Sequence, residues 1–223
     1  RAADRGRQTR RHGMTEALCF ALDGVLVHRT RSDAEILREV FAAHDVGPTD
    51  ELLTTARDAF REAFEGLEPD PYRQSMRAAV SAAETAGSDA SDPDADPDAM
   101  VATLRERTYA GTTVPDAARE SLAGLAEDSA LAVITNGPRA WQVGKLEYHD
   151  LADLFDAVVA SYEAGAHKPD AAPFDRLRER LPADEYVMVG DSEDVKGGRA
   201  AGFVPIEYRT DGPDLWATID ALL

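Results

Sequence analysis

The sequence predicts an α/β protein, a doubly wound parallel sheet interrupted by an all-helical insertion. Three observations carry that expectation. The run 18–27, LCFALDGVLV, is almost continuously apolar and breaks at an acid and a glycine, as a strand buried on both faces does. From 29 to 113 the apolar residues recur with a helical period. From 114 onward helical and strand patterns alternate, which is the rhythm of βαβ units.

Taken in order, residues 1–14 hold five arginines against Asp4 and few apolar side chains, so a disordered extension is expected before a core that starts near Thr15. The core is expected to comprise 15–28 and 114–223, with 29–113 as a helical cap domain. In that insertion Ser32-Asp33-Ala34-Glu35 spells a capping box ahead of the apolar face Ile36, Leu37, Val40 and Phe41, which stops at Gly47-Pro48. Thr49 opens a second helix bearing Leu52, Leu53, Ala56, Phe60, Phe64 and Leu67, and a third follows Pro71 with Met76, Val80 and Ala83. The tract 87–96 is acidic and aperiodic, an exposed loop, and Asp96-Pro97 starts a fourth helix that runs towards Tyr109. Helices at 116–127, 138–148, 172–181, 195–201 and 213–223 then alternate with strands at 131–135, 157–160, 186–189 and 203–206.

Composition narrows the function. The chain of 223 residues carries 42 acids against 24 bases, a formal charge of −18, which repels nucleic acid and anionic membrane. Only Lys145, Lys168 and Lys196 are lysines. An acid-rich, lysine-poor balance is similar to that of proteins from salt-accumulating halophiles, where salt screens self-repulsion. With no apolar run of 18 residues and no secretory pattern, a cytoplasmic protein is the default expectation. The single Cys19 lies within the first predicted strand and reads as a small core residue. His28, His44, His149 and His167 have no metal-ligand spacing, and Trp141 and Trp216 read as helix packing residues.

Four segments carry candidate chemistry. Asp23-Gly24 lies just past the first strand, at the edge where open α/β sheets bind ligands, although Asp-Gly alone also makes a plain turn. Asp23 stands two residues beyond Ala21, so strand alternation would turn both side chains to one side. Thr135 and Asn136 offer a hydroxyl, an amide and backbone N–H groups at a helix start, a phosphate cradle or a simple N-cap. Lys168, in HKPD, presents a compact ammonium suited to charged oxygens. Asp191 ends the strand that reads VGDS, with Asp194 shortly after.

These four segments, in this order, resemble the four signatures of the haloacid dehalogenase superfamily, and the text from Thr135 to Phe174 resembles that family's usual text. The resemblance implies a Rossmann-like core and a helical cap that selects substrate. It further implies the activity of the small-molecule phosphatases, phosphoglycolate phosphatase among them. In those enzymes an aspartate attacks a small phosphorylated metabolite, and an acid in the place of Asp23 protonates the leaving group. Lys168, Thr135 and Asn136 would hold the phosphoryl oxygens. Mg2+ would be bound by the nucleophile, the backbone carbonyl of Asp23, and Asp191.

Two departures stand out. The family's nucleophile position is occupied by Ala21, and a methyl group neither attacks phosphorus nor ligates a metal. The fourth signature is about two residues short, so whether Asp194 fills the second acid's role is open. Removing a nucleophile costs on the order of 10⁴ to 10⁶ in rate. Three readings follow: a hydrolase whose nucleophile has been removed, a natural pseudoenzyme that binds a phosphorylated ligand or a protein partner without turnover, or residual hydrolysis by water activated at Asp23.

Overall fold

The computed structural model describes residues 15–85, 95–209 and 215–222. Strand β1 (Glu16–Phe20) is followed by β2 (His28–Arg29) and the helices α1 (Asp33–Ala43), α2 (Asp50–Glu65), α3 (Pro71–Thr85) and α4 (Pro97–Ala110). After β3 (Thr112–Thr113) come α5 (Asp116–Asp128), β4 (Ala130–Thr135), α6 (Arg139–Tyr148), β5 (Ala157–Ala160), α7 (Ser161–Ala164) and α8 (Ala171–Arg180). The chain closes with β6 (Glu185–Gly190), α9 (Ser192–Ala200), β7 (Val204–Glu207) and α10 (Leu215–Leu222). The extension at 1–14 and most of the acidic tract 87–96 lie outside the described residues, as do residues 213, 214 and 223 of the last predicted helix.

Five strands form one parallel sheet in the order β5-β4-β1-β6-β7, so the winding reverses at β1. Helices cover both faces of such a sheet, which is why its central strands read as unbroken apolar runs. Ala17 to Phe20 are at most 1% exposed, and all six residues of β4 are buried. Burial pushes the Cys19 thiol pKa up, in keeping with a core role.

The helical insertion has its own apolar centre, built from Ile36, Val40, Phe41, Met76 and Met100, with Trp141 of α6 reaching into it. Its first helix carries the expected capping box: Ser32 Oγ accepts from Glu35 N–H and the Glu35 carboxylate accepts from Ser32 N–H. The insertion is not purely helical at its roots. Its two connections pair as an antiparallel ribbon, with His28 opposite Thr113 and Arg29 opposite Thr112. Pairing satisfies backbone groups that two separate linkers would leave to water. Among the described residues, no helix is long and apolar enough to cross a membrane.

Candidate active site

Register fixes what meets at the carboxyl edge of the sheet. Phe20 lies opposite Val133 of β4 and Val189 of β6, so Thr135 and Asp191, two residues further on, stand level with the turn that carries Asp23. Strand β1 ends earlier than the apolar run suggests. Ala21 N–H still donates to the Val189 carbonyl at 2.9 Å, but the Leu22 carbonyl then accepts from Leu26 and Val27 N–H, both at 3.0 Å, and the chain reverses. Asp23 therefore lies in this turn, beyond the strand whose alternation the sequence argument used. Ala21 is 2% exposed, whereas Asp23 is exposed. Gly24 supports the reversal with a φ of 81°, a conformation glycine adopts freely.

Two buried lysines converge on this edge. Lys145 of α6 places Nζ 2.6 Å from Asp23 Oδ1, with only 5% of its side chain exposed. Sequence reasoning missed it, although its rarity among the basic residues was a usable signal. Lys168 is held at both ends. Its backbone N–H donates to Asn136 Oδ1 at 2.8 Å and its carbonyl accepts from Asn136 Nδ2 at 3.2 Å, while its Nζ lies 2.5 Å from Asp194 Oδ1. Asn136 follows β4 and Asp194 follows β6, the two neighbours of β1, so the Lys168 side chain crosses the end of β1 where Ala21 sits.

This geometry revises one role and fills in another. Both amide atoms of Asn136 bond the Lys168 backbone, so its side chain positions the lysine, and the second N–H of Nδ2 is left over. Thr135, 2% exposed, has a hydroxyl with no partner among the described residues. The short fourth signature is accommodated by starting α9 directly at Ser192. Asp191 becomes the N-cap, its Oδ1 accepting from Glu193 and Asp194 N–H at 2.9 and 3.0 Å, and Asp194 at the third helical position turns back to Lys168. The helix expected at 195–201 thus begins earlier. Gly190 makes room for this turn, since a Cβ there would lie 2.3 Å from that of Asp194.

With a methyl group at position 21, the donors present do not complete a site for a hard divalent cation, which needs several oxygens. The Asp23 carboxylate faces Lys145, the Asp194 carboxylate faces Lys168, and Asp191 caps a helix through Oδ1 alone, so the Asp23 backbone carbonyl and the second Asp191 oxygen are the groups that would hold the ion beside a carboxylate at position 21. Among the described residues, no three His, Cys, Asp or Glu side chains are grouped to hold a metal ion.

Above the edge, between insertion and core, lies a cavity of about 830 Å³. Lys145, which lines it, also bonds Asp23, and is the link between the cavity and the sheet edge. One wall is a chain of rings. Trp141 of α6 stacks on Tyr72 with centroids 3.6 Å apart, Tyr72 meets Phe60 at 4.9 Å, Phe60 meets Phe64 at 5.2 Å, and Phe64 stacks on His167 at 4.6 Å. His167 Nε2–H also donates to the Phe64 carbonyl at 2.7 Å. Trp141 and His167 are therefore contacts between insertion and core. Burial, with the Asp23 charge adding to it, pushes the Tyr72 phenol pKa far up. For Arg29, burial opposes the charge, and the Asp33 carboxylate, with Asp23 further off, outweighs it and raises the pKa.

A parallel sheet wound in both directions from β1, with a helical insertion following its first strand, defines the class of capped, doubly wound α/β proteins. The chain belongs to the haloacid dehalogenase-like hydrolases, whose family model matches residues 15–202. It is 32% identical over 203 residues to a phosphoglycolate phosphatase of Rhodospirillum rubrum, covering 89% of this chain and 81% of that protein. A ribulose-1,5-bisphosphate 5-phosphatase of Halopiger xanaduensis is 40% identical over 100 residues, 43% of this chain and 41% of that one. Among solved structures, a 2-haloacid dehalogenase from Pseudomonas syringae superposes with a TM-score of 0.68 at 26% identity, covering 91% of this chain and 92% of that one. The magnesium-bound YfnB of Bacillus subtilis shares the fold at a TM-score of 0.60 and 22% identity, with 91% of each chain covered.

Proposed function

We propose that this chain carries a phosphomonoesterase site complete except for its nucleophile, and that it binds a small phosphorylated molecule without passing through an aspartyl-phosphate. The observation that carries the reading is Ala21, buried at the end of β1 with Thr135, Lys168, Asp23 and Asp191 arranged around it. The relatives named as phosphatases of phosphoglycolate and ribulose bisphosphate support a small phosphorylated ligand. Lys168 supplies positive charge across the strand end, Thr135 a free hydroxyl, and the start of α6 backbone N–H groups. Asp23 stands ready to hold or release a proton at the ester oxygen, with Lys145 fixing its carboxylate. Nothing at position 21 forms a bond to phosphorus, so the ester stays whole.

The second departure in the sequence favours this reading over a site degraded twice. Despite the short signature, Asp194 reaches Lys168 at 2.5 Å. Calorimetric titration with inorganic phosphate tests the proposal. Binding is expected with the protein as it stands, and a loss of about tenfold or more in Lys168→Met, the cost of one charge-assisted contact. A folded protein that takes up no phosphate would overturn it.

A further inference from the structure

The loop that carries Lys168 is anchored on three sides. Asn136, past the end of β4, holds the Lys168 backbone N–H and carbonyl. From α9, Gly197 lets the following residue come close, since a Cβ there would lie 2.8 Å from the Pro169 carbonyl oxygen. The third anchor is the preceding residue, His167, and its partner belongs to the insertion.

His167 meets the C-terminal end of α2 in two ways. Its Nε2–H donates to the Phe64 carbonyl at 2.7 Å, and its ring stacks on that of Phe64 with an interplanar angle of 15°. Beside it the Tyr162 hydroxyl of α7 donates to the Ala63 carbonyl at 3.3 Å, and the Tyr162 ring lies 6.0 Å from those of Phe64 and His167. Carbonyls in the last turn of a helix hold the negative end of its dipole and lack partners further along it, so core donors suit them. Because the Phe64 acceptor is a backbone atom, the His167 bond depends on where α2 itself sits.

Resting on the phosphoryl-binding reading above, we infer that His167 is a positioning residue for Lys168, and that through it the seating of α2 on the core and the affinity for a phosphoryl group rise together. With α2 seated, His167 is pinned on one side of Lys168 and Pro169 is packed on the other, so the ammonium is held across the end of β1. Without that pin the loop gains conformational freedom, and binding must then pay the entropy of ordering it. Linkage makes the effect reciprocal: phosphate held by Lys168 also holds α2 against the core.

Calorimetric titration with inorganic phosphate tests one direction. His167→Ala is expected to weaken binding about fivefold or more, and His167→Gln, whose amide N–H reaches towards the same carbonyl, to regain most of the loss. Tyr109→Phe removes a different bond between insertion and core, the one to the Trp141 carbonyl, and is expected to leave phosphate affinity unchanged. Hydrogen exchange on the unaltered protein tests the other direction and needs no variant to fold. Phosphate is expected to slow exchange at the amides of Leu67 and Glu68, which donate to the Phe64 and Ala63 carbonyls. Undiminished affinity in a folded His167→Ala protein, an equal loss in Tyr109→Phe, or exchange at these amides that ignores bound phosphate overturns this inference and leaves phosphoryl binding standing. A folded protein that takes up no phosphate overturns the underlying reading as well.

Discussion

At the scale of residues, Asp23, Thr135 and Asp191 could be placed together from the sequence because each ends or follows a strand, and a parallel sheet gathers strand ends at one edge, whereas Lys168 lies beyond α7 and Asp194 inside α9. Lys145 was not legible in the same way. It lies on a helix face, and what a helix face meets depends on packing that no local pattern encodes. Gly144 shows how fine that packing is. Glycine inside a helix normally costs about 1 kcal/mol relative to alanine, so Gly144→Ala should stabilise an isolated α6. Here a Cβ would fall 2.3 Å from the Tyr109 hydroxyl, which donates to the Trp141 carbonyl at 2.9 Å. The substitution is expected to lower stability in urea unfolding, and a gain would show that α4 and α6 do not pack as described.

At the scale of elements, order and type were readable from periodicity, whereas ends were set by hydrogen bonds that the pattern does not display. Strand β1 stops at Phe20 because the Leu22 carbonyl captures the N–H groups that follow, and α9 starts at Ser192 because Asp191 caps it. The β2–β3 ribbon has only two residues per strand, too short for an alternation to register. That ribbon joins α6 through His149. Thr112 Oγ1 donates to the Tyr109 carbonyl, so His149 Nε2–H donates to Thr112 Oγ1, at 2.8 Å. Burial, and then the Arg119 charge, lower the His149 pKa below its ordinary 6.5. The unfolded chain therefore binds more protons at this residue as pH falls from 6.5 through the folded value, and stability is lost across that window. The fall in Tm from about pH 7 to about pH 5.5 should be smaller in His149→Gln. An unchanged fall would remove His149 from the account.

At the scale of the whole molecule, the surface carries the consequences of a charge of −18 while the cavity collects arginines. Self-repulsion among exposed carboxylates opposes compaction, and salt screens it over a Debye length of about 10 Å at 0.1 M. Tm is expected to rise as potassium chloride increases from about 0.1 M to about 2 M, beyond the rise shown by a protein of balanced charge. A flat response would mean that the acids are too dispersed to repel one another. The same field makes a small anion depend on the cavity for its welcome, since the rest of the surface turns it away.

The central claim is that one missing carboxylate separates this chain from a working phosphomonoesterase. Hydrolysis of a phosphomonoester by the protein and by Ala21→Asp, side by side in high potassium chloride with and without magnesium, tests it most directly. The account predicts no turnover with Ala21 in place and magnesium-dependent turnover once Asp stands there. Equal turnover by both proteins, or none from a folded Ala21→Asp protein, would contradict it.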